Sequence, residues 1–268
     1  QRQMCIRDSI RAMADLMENK GVSAYVAVLA ALLIGLAFGI VQGFLVTYMG
    51  IQPFIVTLAG MFFGRGMTAV ICTDQVSISA SKFFVSLANM KINLPFGGYT
   101  NNKGVLQVPF VRITVVIALL VLILIFLMLR YTKFGRSLYA VGGSESSAIM
   151  MGLNVKMTKL KAYVLSSFLC SIGGICFCLN TMSGSVQQAK GLEMDAISSA
   201  VIGGTLLTGG VGNVIGSFFG VLINGTISTL VKTNGKLLSS WSNIAVAVLL
   251  CFFIVLQSVF AKIKASKK

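Results

Sequence analysis

The chain alternates between long apolar runs and short polar or glycine-rich segments. A helix that crosses a membrane needs about 20 mostly apolar residues. The runs of that kind are Val22–Tyr48, Phe54–Cys72, Val108–Leu129, Leu160–Met182 and Trp241–Ala261. Asp195–Val231 adds enough length for a short helix and a longer one, separated by a glycine-rich break. The pattern therefore predicts an all-α fold, a polytopic transmembrane helix bundle of seven segments with broken or short helices.

Composition favours a membrane protein over a soluble one. The 268 residues are 56% hydrophobic and 11% charged, with a mean hydropathy of +0.89, whereas soluble chains carry about 25% charged residues. The formal charge of +15 would suggest nucleic acid in a soluble protein. Here the basic residues lie between or beside apolar runs, where they orient helices and meet anionic head groups. We expect a lipid membrane as partner and no nucleic acid.

Basic residues also predict the direction of the helices. The Arg130–Lys161 loop carries six of them against the single Glu145, and the tail adds four lysines. Seven spans place this loop and the tail on one side, which the positive-inside rule makes cytoplasmic. The opposite loops hold lysines too, so the bias is moderate. The turn-rich stretch NLPFGGYTNN, in an outer loop, predicts a small cap.

Several chemistries are excluded by what the sequence lacks. It has no histidine, so a zinc site of the HExxH type or a Ser-His-Asp triad is impossible. Cys170, Cys176 and Cys178 share one apolar run and are interpreted as small hydrophobic filler. We expect no catalytic residue, no metal site and no enzyme activity.

Glycines mark two kinds of position. Small residues at every fourth place let two helices approach closely in lipid, and this spacing occurs at Gly35, Gly39, Gly43 and at Gly212, Gly216, Gly220. The pairs Gly203-Gly204 and Gly209-Gly210 predict backbone bends, which at membrane depth need cover from protein or a wet cavity. Broken helices of this kind are frequent in transporters.

Three motifs, in order, resemble the monosaccharide ABC-importer permeases of bacteria, the ribose, arabinose, xylose and galactofuranose group. They are FIVTLAGMFFGRG (Phe54–Gly66), KFGRSLYAVGGSESSAIMMGLNV (Lys133–Val155) and GLEMDAISSAVIGGTLLTGGVGNVIGSFFG (Gly191–Gly220). The resemblance runs from about Ile10 to Gln257. FIVTLAGMFF, IGGTLLTGGVG and LSSWSNIAVAVLL are most similar to the galactofuranose-type permease.

The start of the chain departs from that family. The first nine residues, QRQMCIRDS, look like translated adapter sequence, and we interpret residues 1–9 as a non-native leader. A GIDLSVG-type segment that family members carry before the first span is missing here. We therefore expect residues 10–268 to be one permease domain that lacks its amino-terminal helices.

The resemblance implies a permease subunit in the bacterial inner membrane, powered by a separate ABC ATPase. This chain has no GxxxxGK[ST] motif, so ATP would be hydrolysed by the partner subunit and no cofactor bound here. Ser144 and Glu145 predict the start of a helix Glu145–Met151 and Gly152 its left-handed end. In the family the matching segment docks on the ATPase, to which Ile149, Met150 and Met151 would contribute. An ordinary connecting loop is the alternative.

A path for a neutral sugar needs hydroxyl and amide side chains. The candidates are Gln42, Thr57, Asn180, Thr181, Asn224 and Thr226, each of which equally suits an interhelical hydrogen bond. The resemblance implies a sugar-binding protein and a second permease copy as further partners. A self-sufficient secondary transporter is the alternative function, although the spans offer no acidic residue for proton coupling besides Asp195 at a boundary.

Overall fold

A computed structural model describes residues 23–71, 76–77, 82–93, 99–100, 106–107, 110–184, 191–206, 209–233, 244, 246–253 and 255. The leader, residues 10–22, most of the outer loop and the lysine-rich tail lie outside this range. Of the predicted last span, 241–261, the structure describes residues 244, 246–253 and 255, which are helical.

The longer helices are α1 (Ala24–Thr47), α2 (Pro53–Ile71), α4 (Ile113–Tyr131), α7 (Val155–Thr181) and α9 (Val214–Thr233). Shorter helices are α3 (Lys82–Asn89), α5 (Lys133–Gly143), α6 (Glu145–Met150) and α8 (Leu192–Ile202). Within the described residues, four helices are long and apolar enough to cross a membrane: Ala24–Thr47, Ile113–Tyr131, Val155–Thr181 and Val214–Val231. The predicted polytopic helical bundle is confirmed.

The starts of two helices differ from the prediction. The third span begins at Ile113 rather than Val108, because residues Phe110–Arg112 form a strand. The fourth begins at Val155 rather than Leu160, because Asn154 caps it: the Met157 amide donates to Asn154 Oδ1 at 3.1 Å. The helix therefore has a capped first turn before the apolar run, which the hydrophobic pattern did not predict.

Within the described residues, six short strands pair antiparallel in loops between the helices. β2 (Lys91–Asn93) pairs with β5 (Phe110–Arg112), β3 (Tyr99–Thr100) with β4 (Leu106–Gln107), and β1 (Val76–Ser77) with β6 (Ser183–Gly184). The stretch predicted to form a cap supplies the last residue of β2 and all of β3.

The chain divides into two compact units, Gln1–Ile123 with Lys159–Lys190, and Leu124–Thr158 with Gly191–Lys268. In the first unit α1 packs against α7 through its small residues. A Cβ added at Gly39 would stand 2.7 Å from the Ser167 Cβ, and one at Gly43 would stand 2.8 Å from the Leu160 Cδ1. Gly35 contacts Ser171 in the same way. The first glycine stripe thus lies where α1 approaches α7 closely.

The hydrophobic core of the first unit includes residues of α1, α3 and α7. Ala24, Ala27 and Ala31 of α1 are buried with Phe84 of α3 and with Cys178 of α7. Cysteine here acts as a small apolar side chain, and the described cysteines Cys170, Cys176, Cys178 and Cys251 are not joined in disulfide bonds.

In the second unit α8 and α9 form a hairpin with direct backbone contact. A Cβ at Gly203 would stand 2.5 Å from the carbonyl carbon and oxygen of Gly216, and Gly220 contacts the Ser199 carbonyl oxygen. The prediction for Gly212 is wrong, because α9 begins only at Val214. Asn213 caps the helix by accepting from the Ile215 amide at 3.1 Å, which leaves Gly212 in the preceding loop.

Candidate functional site

The short helix α6 follows α5 directly and is capped at both ends. The Ser147 amide donates to Ser144 Oγ at 3.3 Å, and Glu145 occupies the first turn of α6. The helix ends at Met150, with Met151 as its C-cap and Gly152 at φ +75°. Each end is therefore fixed by a capping signal, one residue earlier at the carboxyl end than predicted.

Three large apolar side chains at the end of α6 are exposed. Ile149 is 60% exposed, Met150 82% and Met151 65%, while Ala148 is fully buried. Ala148 thus marks the buried face of the helix, and the three exposed residues form what we call the α6 tip. An exposed apolar cluster on a capped helix is typical of a protein-docking surface. That role stays a prediction.

The loop between α8 and α9 bends where the glycine pairs predicted it. Gly204, Gly209 and Gly210 have φ values of +85°, +92° and +77°, a region that side chains other than glycine rarely adopt. Gly203 differs from the prediction, because it is the C-cap of α8 with φ −72°, and its glycine is required by the approach of Gly216.

The end of α5 lies against this loop, which the sequence reasoning did not foresee. The Tyr139 hydroxyl donates to the Gly212 carbonyl at 3.0 Å. Gly142 contacts the backbone of Gly209 and Gly210. The only signal in the sequence was the repeated GG pair in both segments, and a pair alone does not identify its partner.

Of the path candidates, Gln42 has the most distinctive surroundings. Its side chain is 3% exposed, and neither amide atom has a hydrogen-bond partner among the residues that the structure describes. It lines a cavity of about 680 Å³ between α1 and α2, together with apolar residues such as Phe38 and Phe63. An amide without a partner in apolar surroundings costs roughly 1–3 kcal/mol. Both amide atoms of Gln42 are closed off here, so the cavity itself presents an apolar surface.

The other path candidates already have partners. Thr57, Thr181 and Thr226 donate to the carbonyls of Phe54, Phe177 and Leu222 on their own helices. Asn180 Oδ1 accepts from the Arg112 guanidinium beside a second cavity of about 520 Å³. The contacts that the structure describes do not bring these hydroxyl and amide groups together on one surface.

Asn224 holds the α8–α9 hairpin together. Its Nδ2 lies 3.1 Å from Ser198 Oγ, 3.2 Å from Ser199 Oγ and 3.2 Å from the Asp195 carbonyl. The side chain is 7% exposed. This geometry favours the interhelical alternative over contact with a sugar.

Comparison with known proteins places the chain among transporter subunits. The family described as "Branched-chain amino acid transport system / permease component" matches residues 10–256. The chain is 39% identical over 245 residues to the inner membrane ABC transporter permease protein YjfF of Escherichia coli K12, covering 91% of this chain and 70% of that protein. No solved structure matches.

Two further relatives are named for sugars. The fructose import permease protein FruG of Bifidobacterium longum is 35% identical over 253 residues, 94% of this chain and 72% of that protein. The ribose import permease protein RbsC of Escherichia coli K12 is 35% identical over 207 residues, 77% of this chain and 61% of that protein. Together with the apolar helices, these matches show that the chain belongs to the permease-component family of ABC transport systems, whose members are not enzymes.

Proposed function

We propose that this chain is the membrane permease of an ATP-driven bacterial importer and forms the path for a monosaccharide. The observation that carries the proposal is the family match over residues 10–256, with relatives named for fructose and ribose import. Galactofuranose is our first candidate among the sugars, on the resemblance of FIVTLAGMFF and IGGTLLTGGVG to that type of permease.

Energy would enter through the α6 tip. A separate ATPase subunit would bind Ile149, Met150 and Met151 in an apolar socket, because burying each of these side chains is worth about 1.5–3 kcal/mol. The capped ends of α6 keep the helix formed while the tip is exposed. In this proposal the α5–α6 segment lies on the cytoplasmic side, and the carboxyl terminus lies there too.

The sugar path would include Gln42, whose buried amide would be uncovered by movement of α1 or α2 during transport. An amide both donates and accepts, as hydroxyls do, and the phenyl rings of Phe38 and Phe63 offer apolar faces for the carbon side of a sugar ring. One amide in a cavity lined by apolar groups would hold a sugar only weakly, and weak binding suits passage. Selectivity would come mainly from a separate sugar-binding protein.

The assembly would contain two permease copies. None of the nineteen residues of α4, all within the described part, is buried. Such a helix needs lipid or another subunit on its surface, and a second permease would supply part of that cover. The partner copy would be identical or homologous.

Substitutions at Met150 test the docking step. In Met150→Asp the charge would be desolvated in the socket, so binding to the ATPase subunit and ATP-dependent uptake should both fall by at least about tenfold. Met150→Leu keeps the apolar surface and serves as the matched control. Both variants should insert in the membrane normally, because Met150 is 82% exposed. Full activity of Met150→Asp would refute docking through the α6 tip.

A further inference from the structure

The end of α5 and the α8–α9 loop meet backbone against backbone. A Cβ added at Gly142 would stand 2.8 Å from the Gly210 nitrogen, and one at Gly209 would stand 2.8 Å from the Gly142 carbonyl oxygen. Gly209 and Gly210 also require positive φ. Residues with side chains would therefore separate the two segments, since the facing backbone atoms stand closer than a methyl group can approach.

Tyr139 adds a directional bond to this contact. Its hydroxyl donates to the Gly212 carbonyl at 3.0 Å. Tyr139 precedes Gly142 by three residues, so both lie on the same face of α5. The loop is thus held at Gly209, Gly210 and Gly212 by one helix face.

Two backbone hydrogen bonds join the described residues of the loop, 203–206 and 209–213. The Leu206 amide donates to the Val211 carbonyl at 3.1 Å, and the Gly209 amide donates to the Leu206 carbonyl at 3.1 Å. Its two ends continue into α8 and α9, which touch at Gly203 and Gly216. A displacement of the loop would therefore move the hairpin rather than be absorbed in a slack connection.

On the other side, α5 joins α6 with little freedom. Ser144 is the only residue between them, and its amide donates to the Ala140 carbonyl at 3.2 Å while its hydroxyl caps α6. A displacement of α6 would reach Gly142 through two residues that are fixed by hydrogen bonds.

We propose that Tyr139 and Gly142 are positioning residues that lock the α8–α9 loop to the α5–α6 segment. Movement of α6 is passed to α8 and α9 through this backbone contact and through the Tyr139 hydrogen bond to Gly212. The inference rests on the proposed function, in which a partner ATPase moves α6. It identifies the α8–α9 hairpin as the part of the permease that this movement reaches.

Two pairs of variants test the lock. Gly142→Ala places a methyl group against Gly210, whereas Gly143→Ala adds the same group where nothing lies within 4 Å. Tyr139→Phe removes one hydroxyl from the contact, and Tyr131→Phe removes one from the end of α4. The second pair keeps the test decisive if Gly142→Ala does not fold.

Each variant is assembled with the ATPase subunit and the sugar-binding protein in vesicles, and sugar uptake and ATP hydrolysis are measured together. We expect sugar transported per ATP to fall by about tenfold in Gly142→Ala, and by roughly two- to tenfold in Tyr139→Phe, the range for one lost hydrogen bond. ATP hydrolysis should stay within about twofold, since α6 is intact. Gly143→Ala and Tyr131→Phe should match the wild type.

Amide hydrogen exchange supplies a readout that a general loss of stability would not move. In the wild-type assembly nucleotide should change the exchange of residues 209–213. Gly142→Ala should abolish this nucleotide-dependent change, and Gly143→Ala should preserve it. Unchanged sugar per ATP in Gly142→Ala and Tyr139→Phe would overturn the lock alone. No ATP-driven uptake by the wild-type assembly would overturn the proposed function and the lock with it.

Discussion

The contact between α8 and α9 predicts opposite effects for two identical substitutions on one helix. Gly220 and Gly225 both lie on α9. A Cβ at Gly220 would meet the Ser199 carbonyl group and would stand 3.0 Å from the Gly203 nitrogen, whereas a Cβ at Gly225 meets nothing within 4 Å. Gly220→Ala therefore pushes α8 away, and Gly225→Ala does not.

The magnitudes follow from three effects. Replacing glycine by alanine in a helix gains about 1 kcal/mol at either position. At Gly220 overpacking costs about 1–3 kcal/mol. Moving α8 also weakens the Asn224 hydrogen bonds to Ser198, Ser199 and the Asp195 carbonyl, each worth about 0.5–1.5 kcal/mol. We expect Gly220→Ala to lower the free energy of unfolding by about 2–4 kcal/mol and Gly225→Ala to raise it by about 1 kcal/mol.

Unfolding of the purified chain in detergent micelles measures the difference. Helical circular dichroism is followed as a denaturing detergent is added, for the wild type and both variants. The midpoint should move down for Gly220→Ala and slightly up for Gly225→Ala. If Gly220→Ala is as stable as Gly225→Ala, the close approach of the two helices is not present and the reasoning fails.

Three further substitutions separate structural from functional roles. Asn224→Leu should lower the free energy of unfolding by about 1–3 kcal/mol through its lost hydrogen bonds, whereas Thr226→Val should change it little, because that hydroxyl bonds only within α9; equal stability of the two in the same detergent titration would contradict this. Gln42→Leu should raise the free energy of unfolding by about 1–3 kcal/mol, since it removes a buried unpartnered amide, yet lower sugar uptake; unchanged uptake would remove Gln42 from the path. Gly152→Val forces a branched side chain into φ +75° at a cost of about 1–2 kcal/mol and should reduce the sugar transported per ATP. Gly152→Asn should lose little, because asparagine tolerates that φ. Equal loss in both variants would show that coupling does not depend on the backbone conformation at the end of α6.

Local signals in the sequence predicted the features that depend on neighbouring residues. Ser144, Glu145 and Gly152 fixed α6 to within one residue, because caps act within one turn. The same holds for the bend at Gly209-Gly210. The start of α7 was missed because an apolar run was taken as the whole helix, although Asn154 is a good N-cap. Gly212 was wrongly assigned to α9, because Asn213 caps this helix and its first residue is Val214.

Contacts between distant parts of the chain could not be predicted in this way. Tyr139 and Gly212 are 73 positions apart, and nothing in either segment identifies the other. The pairing of Lys91–Asn93 with Phe110–Arg112 likewise moved the start of α4 to Ile113. The role of Asn224 could not be predicted either. An amide on an apolar helix can bind a sugar or bond to a neighbouring helix, and only its observed partners distinguish the two roles.

Uptake of labelled monosaccharide by reconstituted vesicles tests the central claim most directly. The vesicles contain the full chain and its ATPase subunit, with the sugar-binding protein outside and ATP either enclosed or omitted. The account predicts accumulation that requires ATP, the ATPase and the binding protein together, and that disappears with Met150→Asp. Uptake by the chain alone, driven by an ion gradient without ATP, would contradict it.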